Sequence, residues 1–201
     1  MKKKGKVKNM NKNSNSNKFI FAFLAIIVVL AFFVITTQRG LVDQREAVEA
    51  SWSDIEIQYQ RRADLIPNIV ATVKEQANRE QEIFTALADA RSKLSGATTR
   101  EEVIAANQEV SSGLSRLLAV VENYPELKQN EAFEQLRVQL EGTENRIAVA
   151  RKNYNDAARS YKRKIKVFPT NMIAGMLGFT DEFPYIQADP GSEKAPEVSF
   201  D

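Results

Sequence analysis

The segment EAFEQLRVQLEGTENRIAVARKNYNDAARSYKRKIKVF, residues 131–168, carries a helical pattern over its whole length. Ten steps of three or four residues cover 35 residues, a mean period of 3.5, which is typical of helices in bundles and left-handed coiled coils. A helix from Asn130 to Phe168 would be about 58 Å long at about 1.5 Å per residue. The apolar positions are Phe133, Leu136, Leu140, Thr143, Ile147, Ala150, Tyr154, Ala157, Tyr161, Ile165 and Phe168.

Three further amphipathic stretches precede this segment. The first begins at Leu41, the second runs from Leu65 towards Leu94, and the third starts with a capping box from Thr99 to Glu102 and ends before Pro125. No stretch has the period of a strand. We expect an all-α fold, an up-down antiparallel four-helix bundle, with a three-helix bundle on one long kinked first helix as the alternative. The first stretch has its apolar face at Leu41, Val48, Trp52, Ile55 and Tyr59.

The boundary between the first two stretches falls at residues 61–67, where Pro67 interrupts the pattern. Proline cannot donate to the helix ladder, and it disfavours helical geometry at the preceding Ile66. Asp64 would serve as an N-cap and place Pro67 in the first turn of a new helix. We favour a turn here over a kink in one continuous helix.

A membrane anchor is predicted at residues 19–37. Phe19 to Ile35 are seventeen apolar residues without a charge, extended by Thr36 and Thr37. Nineteen helical residues span about 28 Å, close to the ~30 Å hydrocarbon core of a bilayer. The following sequence has no small-x-small cleavage site and no lipobox cysteine, so we expect an uncleaved anchor rather than a signal peptide.

Charge predicts the direction of this anchor. Seven of the 28 Lys and Arg lie in residues 1–18, where no acid occurs, and from residue 19 onward 21 basic residues face 26 acidic ones. The positive-inside rule places the basic terminus (residues 1–18) in the cytoplasm and the carboxyl-terminal domain outside. A nucleic-acid-binding arm is the weaker interpretation because the lysines adjoin an apolar helix. We expect no nucleic-acid partner.

The chain has no Cys and no His. This composition excludes Cys/His zinc sites, thiol catalysis, disulfides and Ser-His-Asp arrangements. Ser-Lys pairs, carboxylate pairs and carboxylate metal sites remain possible, but none is visible as a motif. We therefore expect a protein that is not an enzyme and that holds no metal or cofactor.

Several ordered motifs between residues 19 and 183 resemble the LemA family of bacterial membrane proteins. The resemblance implies an amino-terminal membrane helix followed by an all-helical domain, and it implies no activity. Some accounts of the family place the short amino terminus outside, against the charge argument above. The motifs are Ser51-Trp52-Ser53-Asp54-Ile55, Arg61-Arg62-Ala63-Asp64-Leu65-Ile66-Pro67-Asn68, Glu122-Asn123-Tyr124-Pro125-Glu126-Leu127-Lys128, Thr143-Glu144-Asn145-Arg146-Ile147-Ala148-Val149-Ala150-Arg151, Tyr154-Asn155 and Phe168-Pro169.

Two of these motifs form the predicted partner-binding site. In an up-down bundle, the turn at residues 61–68 and the turn at residues 123–130 would meet at the membrane-distal end, where loop residues are free to bind a partner. The simpler interpretation is that Asp64 and Asn130 are helix caps and that the prolines only end helices. The predicted binding residues are Arg61, Arg62, Asp64, Asn68, Tyr124 and Lys128.

Two other clusters receive separate predictions. Thr143, Glu144, Asn145 and Arg146 would form a structural polar network, with Arg146 paired to Asp54 or Glu56, or only a solvated flank. Arg159, Lys162, Arg163, Lys164 and Lys166 would face lipid headgroups, although cations also suit the end of a helix.

The domain boundaries and the function follow from these predictions. The bundle should occupy residues 38–168, an apolar segment at 169–187 should cover one end of the bundle or lie in the membrane interface, and residues 188–201 should be disordered. The predicted function is that of a membrane-anchored interaction or scaffold protein of the cell envelope, whose partners are the bilayer and another envelope or membrane protein. An envelope small-ligand sensor and, less favoured, a metal- or carboxylate-dependent enzyme are the alternatives.

Overall fold

A computed structural model describes residues 13–77 and 79–187, and within these ranges every regular element is a helix. The all-α prediction is therefore confirmed for this part of the chain. The predicted tail at 188–201 and most of the basic terminus lie outside the described residues. The helices are α1 (Asn13–Lys74), α2 (Gln81–Gly96), α3 (Arg100–Val121), α4 (Pro125–Lys128), α5 (Glu131–Lys166) and α6 (Thr170–Leu177).

The chain divides into two compact units, and each is described by itself. Among the described residues, the anchor unit contains residues 13–45 and 161–182, and the bundle unit contains residues 46–77, 79–160 and 183–187. Both α1 and α5 contribute residues to each unit.

The bundle unit has one apolar core to which α1, α2, α3 and α5 all contribute, as predicted for a four-helix bundle. Burial of each large aliphatic or aromatic side chain stabilises the fold by about 1.5–3 kcal/mol. The helical period of the sequence brings these side chains to one side of each helix. The core residues are Ala63, Ile66, Ile69, Val73, Ala77, Phe84, Leu87, Ala90, Val110, Leu114, Leu117, Val121, Leu127, Phe133 and Leu140.

The predicted turn at residues 61–67 is wrong, because α1 continues through Pro67 to Lys74. Proline removes the N–H that would bond to the carbonyl oxygen of Ala63, four residues earlier. That oxygen accepts a hydrogen bond from Arg91 Nε of α2 at 3.2 Å instead. A side chain from the neighbouring helix therefore replaces the missing donor.

The first connection lies at residues 75–80, between α1 and α2. It contacts the connection that follows α3, since Tyr124 Oη donates to Glu80 Oε1 at 3.2 Å. The predicted first turn at residues 61–68 is part of α1, so the connection that contacts the segment after α3 consists of residues 75–80 instead.

Two predicted helix starts are confirmed in detail. The backbone N–H of Glu102 donates to Thr99 Oγ1 and the N–H of Thr99 donates to Glu102 Oε2, both at 3.2 Å, which completes the capping box of α3. At the start of α5, Asn130 Oδ1 accepts from the N–H of Phe133 at 3.1 Å. These side chains satisfy backbone donors that a helix leaves unpaired at its first turn.

Helices α2 and α3 approach closely at Gly113. A methyl group added there would lie 2.7 Å from Cδ2 of the buried Leu87. The absence of a side chain at this position therefore sets how near the two helices pack.

The apolar stripe of α5 matches the predicted one with two differences. Tyr154, Tyr161 and most of the other predicted positions are buried, but Ala158 rather than Ala157 is the fully buried alanine. Phe168 is 74% exposed, because α5 ends at Lys166 and the residue lies beyond the helix.

Candidate functional site

The structure separates the six predicted binding residues. Arg61, Asp64 and Asn68 are exposed in the last quarter of α1, whereas Tyr124 and Lys128 lie in the segment after α3. The prediction that Arg62 belongs to an exposed surface is wrong, because its side chain is almost completely buried. Asp64 is not a helix cap but accepts from Gln60 Nε2 within α1 at 2.8 Å. Partner binding itself stays a prediction.

Arg62 is the centre of a buried polar network that joins three helices. The residue is 2% exposed, and its guanidinium donates through Nη1 to Glu144 Oε2 of α5 at 2.6 Å. Through Nη2 it donates to the Asn107 backbone oxygen of α3 at 3.2 Å and to Asn107 Oδ1. Arg62 Nε and Asn107 Nδ2 have no hydrogen-bond partner within the described residues. One cation thus fixes the register of α1, α3 and α5.

Tyr59 lies one turn before Arg62 and belongs to the same cluster. The guanidinium carbon of Arg62 lies 6.0 Å from the centre of the Tyr59 ring, and that of Arg151 lies 5.8 Å from it. Arg151 Nε also donates to the Tyr59 hydroxyl at 3.1 Å. Burial lowers the pKa of Arg62, and the charge of Glu144 opposes that shift. The carboxylate therefore helps to keep the buried guanidinium ionised.

The predicted network at residues 143–146 is divided by the helix periodicity. Thr143 is buried and its hydroxyl donates to the Leu140 oxygen at 2.7 Å, whereas Asn145 and Arg146 are exposed. Glu144 makes the ion pair between α5 and α1, and its partner is Arg62 rather than the expected pairing of Arg146 with Asp54 or Glu56.

A cavity of about 300 Å³ adjoins this network in the bundle unit. Its wall contains the ion pair of Arg62 and Glu144, a second pair of opposite charges in Arg137 and Glu141, and the hydroxyl of Ser111. Arg137 Nη1 lies 2.5 Å from Glu141 Oε1, so both arginines in the wall already contact carboxylates. Among residues 18–77 and 79–187, no group of three or more acidic side chains is placed to hold a metal ion.

The meeting of the two connections creates an exposed polar area, which we call the connection surface and define as Arg79, Glu80, Tyr124, Glu126 and Lys128. Arg79, Glu126 and Lys128 are exposed, and Glu80 and Tyr124 are half-buried. Loss of solvation, followed by the Glu80 hydrogen bond, raises the pKa of the Tyr124 hydroxyl above its ordinary value. The hydroxyl is therefore a hydrogen-bond donor at neutral pH, fixed towards Glu80.

A strap at residues 183–186 packs within the bundle unit. Asn155 Nδ2 donates to the Ile186 oxygen and the Ile186 N–H donates to Asn155 Oδ1, both at 2.9 Å. Tyr154 Oη donates to the Pro184 oxygen at 3.0 Å, and Arg100 lies 5.0 Å from the centre of the buried Phe183 ring. This part of the predicted apolar segment therefore contacts the bundle.

The predicted membrane-surface basic cluster makes several contacts inside the anchor unit. Lys162 and Lys166 lie 2.9 and 2.8 Å from the Asp181 carboxylate, whose pKa these hydrogen bonds lower. Lys164 Nζ donates to the Gly40 oxygen at 2.5 Å. In the bundle unit, Arg159 pairs weakly with Asp156 at 3.4 Å. Lipid binding by this cluster is not tested by these contacts.

Comparison with known proteins shows to which family the chain belongs. The model of the LemA family matches residues 51–200. The chain belongs to the LemA family. The magnetosome protein MamQ 2 of Paramagnetospirillum magneticum is 26% identical to it over 198 residues, which cover 85% of this chain and 72% of the relative.

Two further relatives are similar over smaller shares of the chain. Magnetosome protein MamQ of Magnetospirillum gryphiswaldense is 24% identical over 78% of this chain and 68% of the relative. Protein LemA of Metamycoplasma hominis is 29% identical over 67% of this chain and 62% of the relative. The names of these relatives state no catalytic activity. With the exposed apolar stretch of α1, these findings make this LemA-family chain a membrane-associated helical protein.

Sequence reasoning missed the residues that complete the polar contacts. Asn107 occupies a core position on α3, four residues after Val103 and three before Val110, and a polar residue on an apolar stripe is a signal for a buried network. Arg91 and Arg100 had no comparable signal, because each acts on a residue distant in sequence.

Proposed function

We propose that this LemA-family protein is a single-pass, membrane-anchored interaction or scaffold protein of the cell envelope, without enzymatic activity. Its amino terminus lies in the cytoplasm, and its bundle lies outside and binds another envelope or membrane protein. The charge asymmetry around residues 19–37 supports this direction, since the lysines of residues 1–18 greatly outnumber the cations just after the apolar stretch.

The observation that carries the proposal is the connection surface. In the bundle unit the buried Arg62 is committed to contacts with Glu144 and Asn107, so its charge is directed inward. The connection surface instead presents exposed charged side chains around the fixed ring of Tyr124. Arginine and tyrosine are the residue types most often found at interface hot spots, because they combine a large contact area with directed hydrogen bonds.

The test uses a photo-crosslinking amino acid in the full-length protein in its native cells, placed at Lys128 in one variant and at Arg61 in the other. Arg61 is the control because it is also exposed but lies on α1, outside the connection surface. We expect Lys128, and not Arg61, to yield one discrete adduct with an envelope or membrane protein.

The second step introduces Arg79→Ala and Tyr124→Ala into the Lys128 variant. The adduct should be lost while the protein stays folded, since Arg79→Ala at an exposed site should cost about 0.5 kcal/mol or less and Tyr124→Ala at a half-buried site about 1–3 kcal/mol. Both costs together are below the about 5–15 kcal/mol that stabilises an ordinary domain. An adduct of equal yield from Arg61, or one that persists in the double variant, contradicts the choice of surface. Absence of any protein adduct at both positions contradicts an interaction role.

A small-ligand sensor is the second candidate function, and the cavity beside Arg62 favours it. Its volume of about 300 Å³ is at the lower end of the range for small-ligand sites. Isothermal titration of the purified full-length protein with small dicarboxylates, compared with an Arg137→Gln variant, tests it. Saturable binding that the variant loses favours the sensor, and the absence of heat for every compound argues against it.

A further inference from the structure

The anchor unit presents an exposed apolar face on and beside α6. Met176 is 85% exposed and Phe168 is 74% exposed, while Ile173 and Ala174 on the other side of α6 are buried. The sequence from Val167 to Thr180 contains no charged residue. We call the exposed set the lipid face and define it as Val167, Phe168, Met172, Met176 and Leu177. A face of this kind on a soluble surface usually marks an interaction site.

The position of this face relative to the membrane anchor follows from three contacts between α1 and α5. In the bundle unit, Arg62 contacts Glu144 and Tyr59 contacts Arg151, so α5 runs antiparallel to α1. In the anchor unit, Lys164 Nζ donates to the Gly40 oxygen at 2.5 Å. Residues after Lys164 therefore continue towards the apolar stretch of α1.

The depth can be worked out from helix geometry. Gly40 lies three residues beyond Thr37, the last residue of the predicted membrane span, and this is about 4.5 Å along the axis of α1. Val167 lies three residues beyond Lys164, and its N–H donates to the Arg163 oxygen at 3.2 Å, so the helical turn extends one residue past α5. The chain therefore covers about the same distance in the opposite direction. The lipid face thus begins level with the boundary of the hydrocarbon region.

Charge around the face agrees with this depth. Arg39 and Arg163 are exposed, and each is one residue away from the contact between Gly40 and Lys164. The nearby carboxylates of Asp181 and Glu182 form ion pairs with Lys166 and Arg45. Exposed cations beside an apolar helix face are the pattern of an interfacial helix, in which the apolar side enters the acyl boundary and the cations contact lipid phosphates.

We propose that α6 and residues 167–168 form a second membrane-contact element, which inserts the lipid face into the headgroup and upper acyl layer of the bilayer that α1 crosses. The proposal rests on the single-pass anchoring proposed above. In this proposal the bilayer covers the lipid face, which a transmembrane helix alone would leave exposed to water. The chain is then attached to the membrane at two places, the span of α1 and the lipid face of α6.

The chain contains no cysteine, which permits clean single-site labelling. The full-length protein is reconstituted in vesicles of equal parts phosphatidylcholine and phosphatidylglycerol, with an environment-sensitive fluorophore at Met176→Cys. The matched control is Lys128→Cys, an exposed polar position of the bundle unit. Quenching is measured with a nitroxide on the upper acyl chain and with aqueous iodide.

We expect the label at position 176 to be quenched several-fold more by the lipid nitroxide than the label at position 128, and several-fold less by iodide. Equal iodide quenching at both positions overturns the proposal. Protection from iodide without nitroxide quenching also overturns it, because a protein or a second copy would then cover the face. Carbonate extraction separates the two claims, since a protein released by carbonate contradicts the anchor, whereas a retained protein with an iodide-accessible label contradicts only the role of α6.

Discussion

Continuation of α1 through Pro67 depends on a donor from another helix, and a double-mutant cycle tests this dependence. Ala63 is 1% exposed, so its carbonyl oxygen has little access to water, and Arg91 Nε donates to it at 3.2 Å. Replacement of Arg91 by Ala leaves this buried acceptor without a partner, which costs about 1–3 kcal/mol. We expect a decrease of about 2 kcal/mol in the free energy of unfolding in the native background.

The same substitution in a Pro67→Ala background has a different expected cost. Alanine at position 67 supplies a backbone N–H to the Ala63 oxygen, as in an ordinary helix. Arg91→Ala should then cost about 0.5 kcal/mol, so the coupling free energy is about 1.5 kcal/mol. Pro67→Ala alone should be neutral or stabilising, because proline in a helix interior costs up to about 3 kcal/mol.

The assay is urea unfolding of the full-length protein in detergent micelles, followed by far-ultraviolet circular dichroism. Arg61→Ala is the control, since this exposed arginine on α1 should change the free energy of unfolding by about 0.5 kcal/mol or less. An equal cost of Arg91→Ala in both backgrounds would refute the reasoning, because the hydrogen bond to Ala63 would then not replace the one that Pro67 removes.

Three further predictions concern single positions. Glu144→Ala leaves the buried Arg62 without its carboxylate and should lower the free energy of unfolding by about 2–3 kcal/mol. This is less than for a fully buried ion pair, because the Glu144 side chain is 54% exposed. A change below about 0.5 kcal/mol in urea unfolding would contradict the role of the ion pair. Gly113→Ala brings a methyl group to 2.7 Å from Leu87 and should lower the free energy of unfolding, because the overpacking cost of about 1–3 kcal/mol exceeds the helix-propensity gain of about 1 kcal/mol. A raised urea midpoint would count against the close approach of the two helices. Hydrogen bonds from the backbone N–H groups of Thr98 and then Thr99 lower the pKa of Glu102 below its ordinary 4.5. The carboxylate therefore stabilises the fold above pH 4.5, and this stabilisation is lost as pH falls through the folded pKa. The melting temperature should fall more in acid for the native protein than for Glu102→Gln, and identical pH profiles would argue against the capping box.

Local sequence patterns predicted the helices because they record burial directly. The stripe from Phe133 to Ile165 faces the core over most of its length, and Thr99 with Glu102 forms the predicted capping box. Such signals depend on residues three or four positions apart, which the sequence displays. The class of fold therefore follows from periodicity, and the start of α3 follows from the capping box.

The errors arose where a contact joins distant residues. Pro67 alone predicts a helix boundary, because the hydrogen bond that replaces its missing donor comes from Arg91, 24 residues later in the chain. Arg62 was placed on a turn because of that boundary, although on a continuous helix it lies three residues after Tyr59 and four before Ile66, on the buried side. One misplaced connection therefore moved the predicted binding residues away from the connection surface.

The central claim is that residues 19–37 anchor the protein with the bundle outside the cytoplasm, and single-cysteine accessibility measures it most directly. The cysteine-free chain receives Lys128→Cys in one variant and Lys3→Cys in the other, and cells with an intact cytoplasmic membrane are treated with a membrane-impermeant maleimide. The account predicts that position 128 is labelled in intact cells and that position 3 is labelled only after lysis. Labelling of position 3 in intact cells, with position 128 protected until lysis, would contradict the orientation and place the connection surface in the cytoplasm.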